Sequence, residues 1–234
     1  MVVTTVHSVI AWEPESEADL RFFQTIPWCA EIINQHGVKP YRGDFPRRHE
    51  RGMDPVIHGF MFRDGGVLKS GSFLAEPGVL RVHHPHSRRI AGTVSGDPVT
   101  ASSHQEPPLP LIASKSDYPV HIDVFTLDEG LTGFSKTIYG GVIALLADGV
   151  CGKVAFMHRD PTNQLYTVYT NTRFVKPMIV DQDGTITIVV KTQICSLQTS
   201  EGKILAIASF EGPGGIVYAT AESMCREGIW KGRL

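Results

Sequence analysis

The residues best placed to do chemistry lie between Tyr139 and His158, in the run YGGVIALLADGVCGKVAFMH. Gly140 and Gly141 open it, and from Val142 to Met157 nearly every side chain is apolar, with Asp148 and Lys153 the only formal charges. A helix that starts at the glycines leaves its first amide N–H groups without intrahelical partners. Those groups can donate to a ligand oxygen, which glycine allows to approach closely. An isolated carboxylate inside an apolar helix is costly to keep ionised. Asp148 must therefore find a partner, titrate upward or carry out proton chemistry. Counting along the helix puts it roughly two to two and a half turns beyond the glycines.

These residues need a frame. A helix apolar on all sides is expected to be buried, and this one is too short, with an acid too near its middle, to read as a membrane span. Ahead of it, YPVHIDVF sets Val120, Ile122 and Val124 against His121, Asp123 and Phe125, the period of a half-buried strand. His121 and Asp123 share a face, and read either as an acid–base pair reaching the helix or as ordinary strand-surface residues. A turn at Asp128 to Thr132 separates this strand from the helix. Four strand-like runs follow the helix, Leu165–Lys176, Thr185–Ser196, Lys203–Glu211 and Ile216–Arg226, divided by turn-forming residues such as Asp183-Gly184, Glu201-Gly202 and Gly212 to Gly215. In the second run Ile186, Ile188, Val190 and Ile194 line one side. One strand, one long apolar helix and a four-strand meander predict an α+β fold, a curled antiparallel sheet around one long buried helix.

The N-terminal part reads differently. Pro14 to His36 predicts an amphipathic helix with Glu13, Glu15, Glu17 and Asp19 at its dipole-favoured start. Pro27 breaks it, and a second short helix stops at Gly37. Phe22, Phe23, Ile26, Trp28, Ile32 and Ile33 should pack on something larger. Lys39 to Asp54 reads as irregular, with short extended pieces expected at Phe60 to Phe73 and Gly78 to Val82. From His83 to Ser116 the composition turns to His, Ser, Pro, Gly and Arg. The expected division is an N-terminal extension (1–82), a long loop or disordered insertion (83–116) and a sheet-and-helix domain (117–234). No spacing gathers His83, His84, His86 and His104 on one face, so they read as solvated and no metal is expected.

The chain has 234 residues, 42% of them hydrophobic, and a formal net charge of -2. That is enough apolar material for a core, with no electrostatic footprint for nucleic acid or an anionic membrane. Cys29, Cys151, Cys195 and Cys225 stand far apart without C-x-x-C spacing, so neither a zinc site nor a disulfide framework is expected. The N-terminal MVVTTVHSVIAW lacks the features of a secretory signal. A soluble cytoplasmic protein with reduced thiols, no cofactor and no membrane partner is the expectation.

The Gly-Gly helix start, the acid within the helix and the later strand TNTRFVKPM, in that order, resemble the hotdog-fold thioesterases of the 4-hydroxybenzoyl-CoA and phenylacetyl-CoA type. The resemblance covers Tyr118 to Arg226. Where that family has His-Gly-Gly and an acid nine positions after the His, this chain has Tyr139, Gly140, Gly141 and Asp148. The family's later polar and basic pattern is matched by Asn171, Arg173, Phe174, Lys176 and Pro177, and Pro27-Trp28-Cys29 is similar to an extension on fungal members. The resemblance implies a hotdog fold with a helical N-terminal extension, assembled as a homodimer or higher homo-oligomer. It implies hydrolysis of an acyl-CoA or acyl-carrier thioester in a cleft between subunits. Gly140 or Gly141 would polarise the carbonyl, with Tyr139 beside them, and Asp148 would act as base or nucleophile. His121, Asn171, Arg173 and Lys176 would serve the substrate, the two cations through coenzyme A phosphates.

Plainer readings stand beside each role. The glycines could only ease the chain into a tightly packed helix, Asp148 could be a hydrogen-bonded interface carboxylate, and Cys151 could be packing. Arg173 and Lys176 could sit on a solvated sheet edge. The chain also departs from the family: Tyr139 replaces His, Gly149 stands where fungal relatives carry a second acid, and Leu131, Thr132, Gly133 and Ser135 offer no amide to position water. Two other functions follow. One is a dehydratase, isomerase or cyclase of polyketide-type secondary metabolism, using Asp148 with Tyr139 or His121 for proton transfer. The other is an acyl-binding module without turnover.

Overall fold

The computed structural model describes residues 14–41, 66–83 and 117–228. Two short helices come first, α1 (Pro14–Gln24) and α2 (Pro27–Ile33), with Pro27 at the first turn of α2, where its missing N–H costs nothing. The chain leaves α2 through Gly37, at φ +87°, as the expected stop requires. Strand β1 (Val38–Pro40) then pairs with β2 (Val67–Ala75), which pairs in turn with β3 (Val120–Asp128). A small hairpin, β4 (Thr132–Phe134) and β5 (Thr137–Ile138), leads into α3 (Gly140–His158). After α3 come β6 (Gln164–Phe174), β7 (Thr185–Gln198), β8 (Lys203–Gly212) and β9 (Ile216–Gly228).

The sheet order is β1-β2-β3-β7-β8-β9-β6, antiparallel throughout, and it curls around α3. Only β7, β8 and β9 form a meander. The expected four-strand meander is corrected here, because β6 pairs with β9 at the far edge while β7 pairs with β3. The cause is the segment after β6. Met178 accepts a hydrogen bond from the Ile138 amide and Val180 donates to Lys136, so the chain runs across the base of α3. Met178 and Val180 are buried there.

Two further expectations change. Gly78 to Val82 is turn and coil instead of strand, with Gly78 at φ +83°, and Val38–Pro40 is a strand where irregular chain was expected from Lys39 on. The piece expected from Phe60 lies partly outside the described residues, as does nearly all of the 83–116 insertion. The boundary expected there separates β2 and β3, which lie side by side in one sheet.

The strand β3 is buried on both faces, not half-buried as its alternation suggested. Val120, Ile122 and Val124 pack under α1 and α2 with Phe23, Cys29 and Ile33, which gives the helical extension the larger body its apolar residues require. Phe125 and Leu127 join the other core, where α3 places Val142, Ile143, Leu146, Val150 and Val154 against β7, β8 and β9. The sheet residues beneath α3 include Ala206, Ala208, Ala219 and Ala221, and their small size lets the helix lie close.

Length and composition alone would let α3 cross a membrane, yet the sheet packs along it. It is not buried on all sides, which corrects the sequence reading. Gly141, Leu145, Asp148, Gly152 and Phe156, spaced three or four residues apart, form one stripe that is half-buried or exposed. Phe156 is 57% exposed, and a Cβ added at Gly152 would meet nothing within 4 Å.

Candidate active site

At the start of α3, Tyr139 occupies the N-cap with extended backbone (φ -62°, ψ 132°) and no side-chain cap. The Val142 and Ile143 amides return to the Tyr139 carbonyl, whereas those of Gly140 and Gly141 carry no hydrogen bond among the described residues. Each glycine makes room for an aromatic ring. A Cβ on Gly141 would lie 2.6 Å from Tyr139 Cε1, and one on Gly133 only 2.8 Å from Tyr139 Cδ2, so the β4–β5 hairpin and the helix start hold the ring between them. A Cβ on Gly140 would lie 3.2 Å from Phe174 Cζ. Tyr139 is nevertheless 61% exposed, its outer side open to solvent.

Beside this helix start lies an open cleft of about 350 Å³, lined by Ile138, Gly140, Ile143, Phe174, Lys176 and Met178 among others. Its lining is apolar apart from Thr137 and one cation, Lys176. Lys176 is thus placed beside the glycines.

Asp148 sits on the uncovered stripe of α3, half-buried. Thr170 of β6 donates to its Oδ1 at 3.0 Å, and Thr170 Oγ1 lies 3.0 Å from Ser223 Oγ of β9. Ser223 is fully buried and also reaches the Tyr169 carbonyl at 3.2 Å. With a rise of about 1.5 Å per residue, Asp148 stands about 12 Å along the helix from Gly140.

Register fixes the other predicted residues. Thr170 pairs with Ser223 on the face toward α3, so Asn171, opposite Glu222, and Arg173, opposite Thr220, lie on the outer face, away from Asp148. His121 is only 3% exposed and lies on the opposite side of α3 from β6. It meets the edge of the Tyr41 ring at 5.6 Å and His158 at 6.5 Å between ring centroids. Burial holds its pKa down at about 3, helped by the charge on Lys153, so the imidazole is neutral at physiological pH. Burial also lowers the His158 pKa. The structure therefore brings Tyr139, Gly140, Gly141 and Lys176 together, sets Asp148 farther along the same helix, and leaves His121, Asn171 and Arg173 apart from them.

Several contributors were missed in the sequence. Lys153 forms a buried ion pair with Asp123, which also accepts from Ser72 at 2.6 Å. The signal was present, since Lys153 is the only cation in an apolar helix and Asp123 the only acid on the preceding strand's helix-facing side. Thr170 was missed for another reason: hydroxyls on strands are common, and only the register of β6 against β9 turns this one toward Asp148. Cys151 is buried and its thiol pushed well up by that burial, in keeping with a packing role. Among the described residues no three His, Cys, Asp or Glu side chains gather as a metal site.

No family model and no curated protein sequence matches the chain. Among solved structures it is similar to a thioesterase from Haemophilus influenzae (8% identity, TM-score 0.43, 52% of this chain and 80% of that one). It is also similar to a phenylacetic acid degradation-related protein from Ralstonia eutropha (12% identity, TM-score 0.41, 46% and 75%). A third similar structure is a thioesterase protein from Streptococcus pneumoniae determined with coenzyme A (11% identity, TM-score 0.41, 47% and 78%). The chain's own topology is the hotdog arrangement expected from the sequence, a curled antiparallel sheet around one central helix that follows the first of its five wrapping strands, β3.

Proposed function

We propose that this protein hydrolyses an acyl-CoA or acyl-carrier thioester in a cleft between two copies of the chain. The observation that carries the reading is the joint placement, on one helix, of two uncapped glycine amides beside an apolar cleft and a half-buried carboxylate farther along. Thioester hydrolysis needs a donor for the oxyanion that develops on the carbonyl and a group that activates water or attacks directly. Gly140 or Gly141 supplies the first and Asp148 the second. The separation of about 12 Å between them favours a site completed by a second copy, with the amide from one and the acid from the other. The uncovered stripe of α3, together with exposed Tyr139, Phe156 and Phe174, offers the apolar surface such a pairing would cover. Lys176 at the cleft rim suits a phosphate of the carrier.

The cleft takes the acyl group, which would lie against Ile138, Ile143, Phe174 and Met178. Asp148 as a base then delivers water to the thioester carbon, the C–S bond breaks, and the thiol leaves with a proton. A second reading is favoured by Tyr139, whose exposed ring stands at the helix start where a phenol could take part in proton transfer at carbon. Thiol release from short, long and aromatic acyl-CoA esters separates the two, with wild type and Asp148→Asn side by side. A loss of about 100-fold or more in the variant supports hydrolysis. Absence of thiol release by wild type selects the carbon-centred reaction or a binding role.

A further inference from the structure

We propose that Thr170 and Ser223 form a two-hydroxyl relay that positions Asp148 through its Oδ1 atom, leaving Oδ2 as the oxygen that works on the substrate. The proposal rests on Asp148 being the acid of the site, the reading given above, and adds the residues that hold it there.

The geometry sets the proton order. A carboxylate has no hydrogen to give, so Thr170 must donate across the 3.0 Å contact to Oδ1. The threonine hydroxyl has then spent its one proton, and the 3.0 Å contact to Ser223 can be filled only by Ser223 donating to Thr170. When Asp148 takes a proton it takes it on Oδ2, so Thr170 keeps donating to Oδ1 and Ser223 to Thr170 in both states. The Tyr169 carbonyl, 3.2 Å from Ser223 Oγ, is a second acceptor within reach of the fully buried serine. No other hydrogen bond to Asp148 exists among the described residues, and its Oδ2 is not a buried, unpartnered atom. The substrate-facing oxygen is thereby fixed by default.

The surroundings favour a relay of this kind. On α3 the nearby titratable group is Cys151, and on β9 it is Cys225, which adjoins Ser223. Burial raises both thiol pKa values, so neither brings a competing charge near neutral pH. On β6 the residues on the α3 side are Thr170 and Thr172, and the Tyr169 hydroxyl goes instead to Glu222 on the outer face. Asp148 thus has hydroxyls, not charges, as its hydrogen-bonding neighbours.

The test uses the full chain and needs no substrate. Carboxyl-carbon NMR at pH 7.5 follows Asp148, its signal assigned by its loss in Asp148→Asn, in wild type, Thr170→Val, Thr170→Ser and Ser223→Ala, each in H2O and in D2O. A hydroxyl donating to Oδ1 transmits a deuterium isotope shift to the carboxyl carbon, which should shrink in Thr170→Val, return in Thr170→Ser and change by less in Ser223→Ala. Thr170→Ala repeats the test should the valine variant not fold. In thiol release, Thr170→Val should lower kcat by about tenfold with KM little changed, and Thr170→Ser should recover most of that loss. An undiminished isotope shift in Thr170→Val, or a Thr170→Ser variant as displaced as Thr170→Val, overturns the relay, and an unmoved Ser223→Ala removes Ser223 from it. If Asp148→Asn keeps full turnover, the reading of Asp148 as the acid of the site fails while the NMR result stands.

Discussion

His121 gives the fold a calculable weakness to acid. Its imidazole is buried against Tyr41 and His158, close to Lys153, and its pKa in the folded protein is about 3, against an ordinary 6.5 in the unfolded chain. Because the folded value is depressed, the stabilisation is fully present above about pH 6.5 and is lost as pH falls toward 3. At pH 5 the unfolded chain holds almost one proton that the folded chain does not. The linkage integral from neutral pH then amounts to about 2 kcal/mol. Any folded pKa below about 4 leaves the ring neutral at pH 5 and gives the same figure. The perturbation is His121→Phe, which keeps a ring against both neighbours but cannot titrate. Urea denaturation of both proteins at pH 7.5 and pH 5 provides the assay, since carboxylates and His158 titrate alike in the two and cancel. Wild type should lose about 2 kcal/mol more than the variant between the two pH values. Equal losses would refute the assignment of His121 as a buried neutral base.

The same region should respond sharply to charge removal. Lys153→Met strands the buried Asp123 carboxylate and should cost about 3–5 kcal/mol in chemical denaturation, while adding Asp123→Leu should recover much of that loss. At the other end of α3, Gly141→Ala places a methyl 2.6 Å from the Tyr139 ring and should lower stability by about 1–3 kcal/mol. In a double-mutant cycle with Tyr139→Ala most of that cost should disappear, and additive losses would mean that the ring does not set the need for glycine.

The sequence carried the strands and helices well because their signals were local. The alternation in Thr185–Ile194 places Ile186, Ile188, Val190 and Ile194 on the core side, and turn residues such as Gly184 and Gly202, both at positive φ, mark real strand ends. What it did not carry was non-local. The alternation of Val120 to Phe125 looks half-buried because hydrophobicity along one strand says nothing about a second layer, here α1 and α2, lying on its other face. Likewise β6 follows α3 and precedes β7 in sequence, yet pairs with β9, a choice made by the path of Met178 and Val180 across the helix base. At the candidate site the glycines and Asp148 stood out by type within an apolar run. Thr170 and Ser223 did not, since hydroxyls on strands are common and only register brings these two to Asp148.

The central claim is that the acid and the helix-start amide of one working site come from different copies of the chain. Mixing two inactive variants tests it most directly. Asp148→Asn removes the acid, and Gly140→Val blocks the helix start against Phe174. Each alone should release little thiol from an acyl-CoA ester. Denatured together in equal amounts and refolded, they should form mixed dimers in about half of the population, each with one intact site, restoring about a quarter of wild-type turnover. No recovery on mixing, with dimers shown to form, would place both groups of a site in one copy and contradict the account.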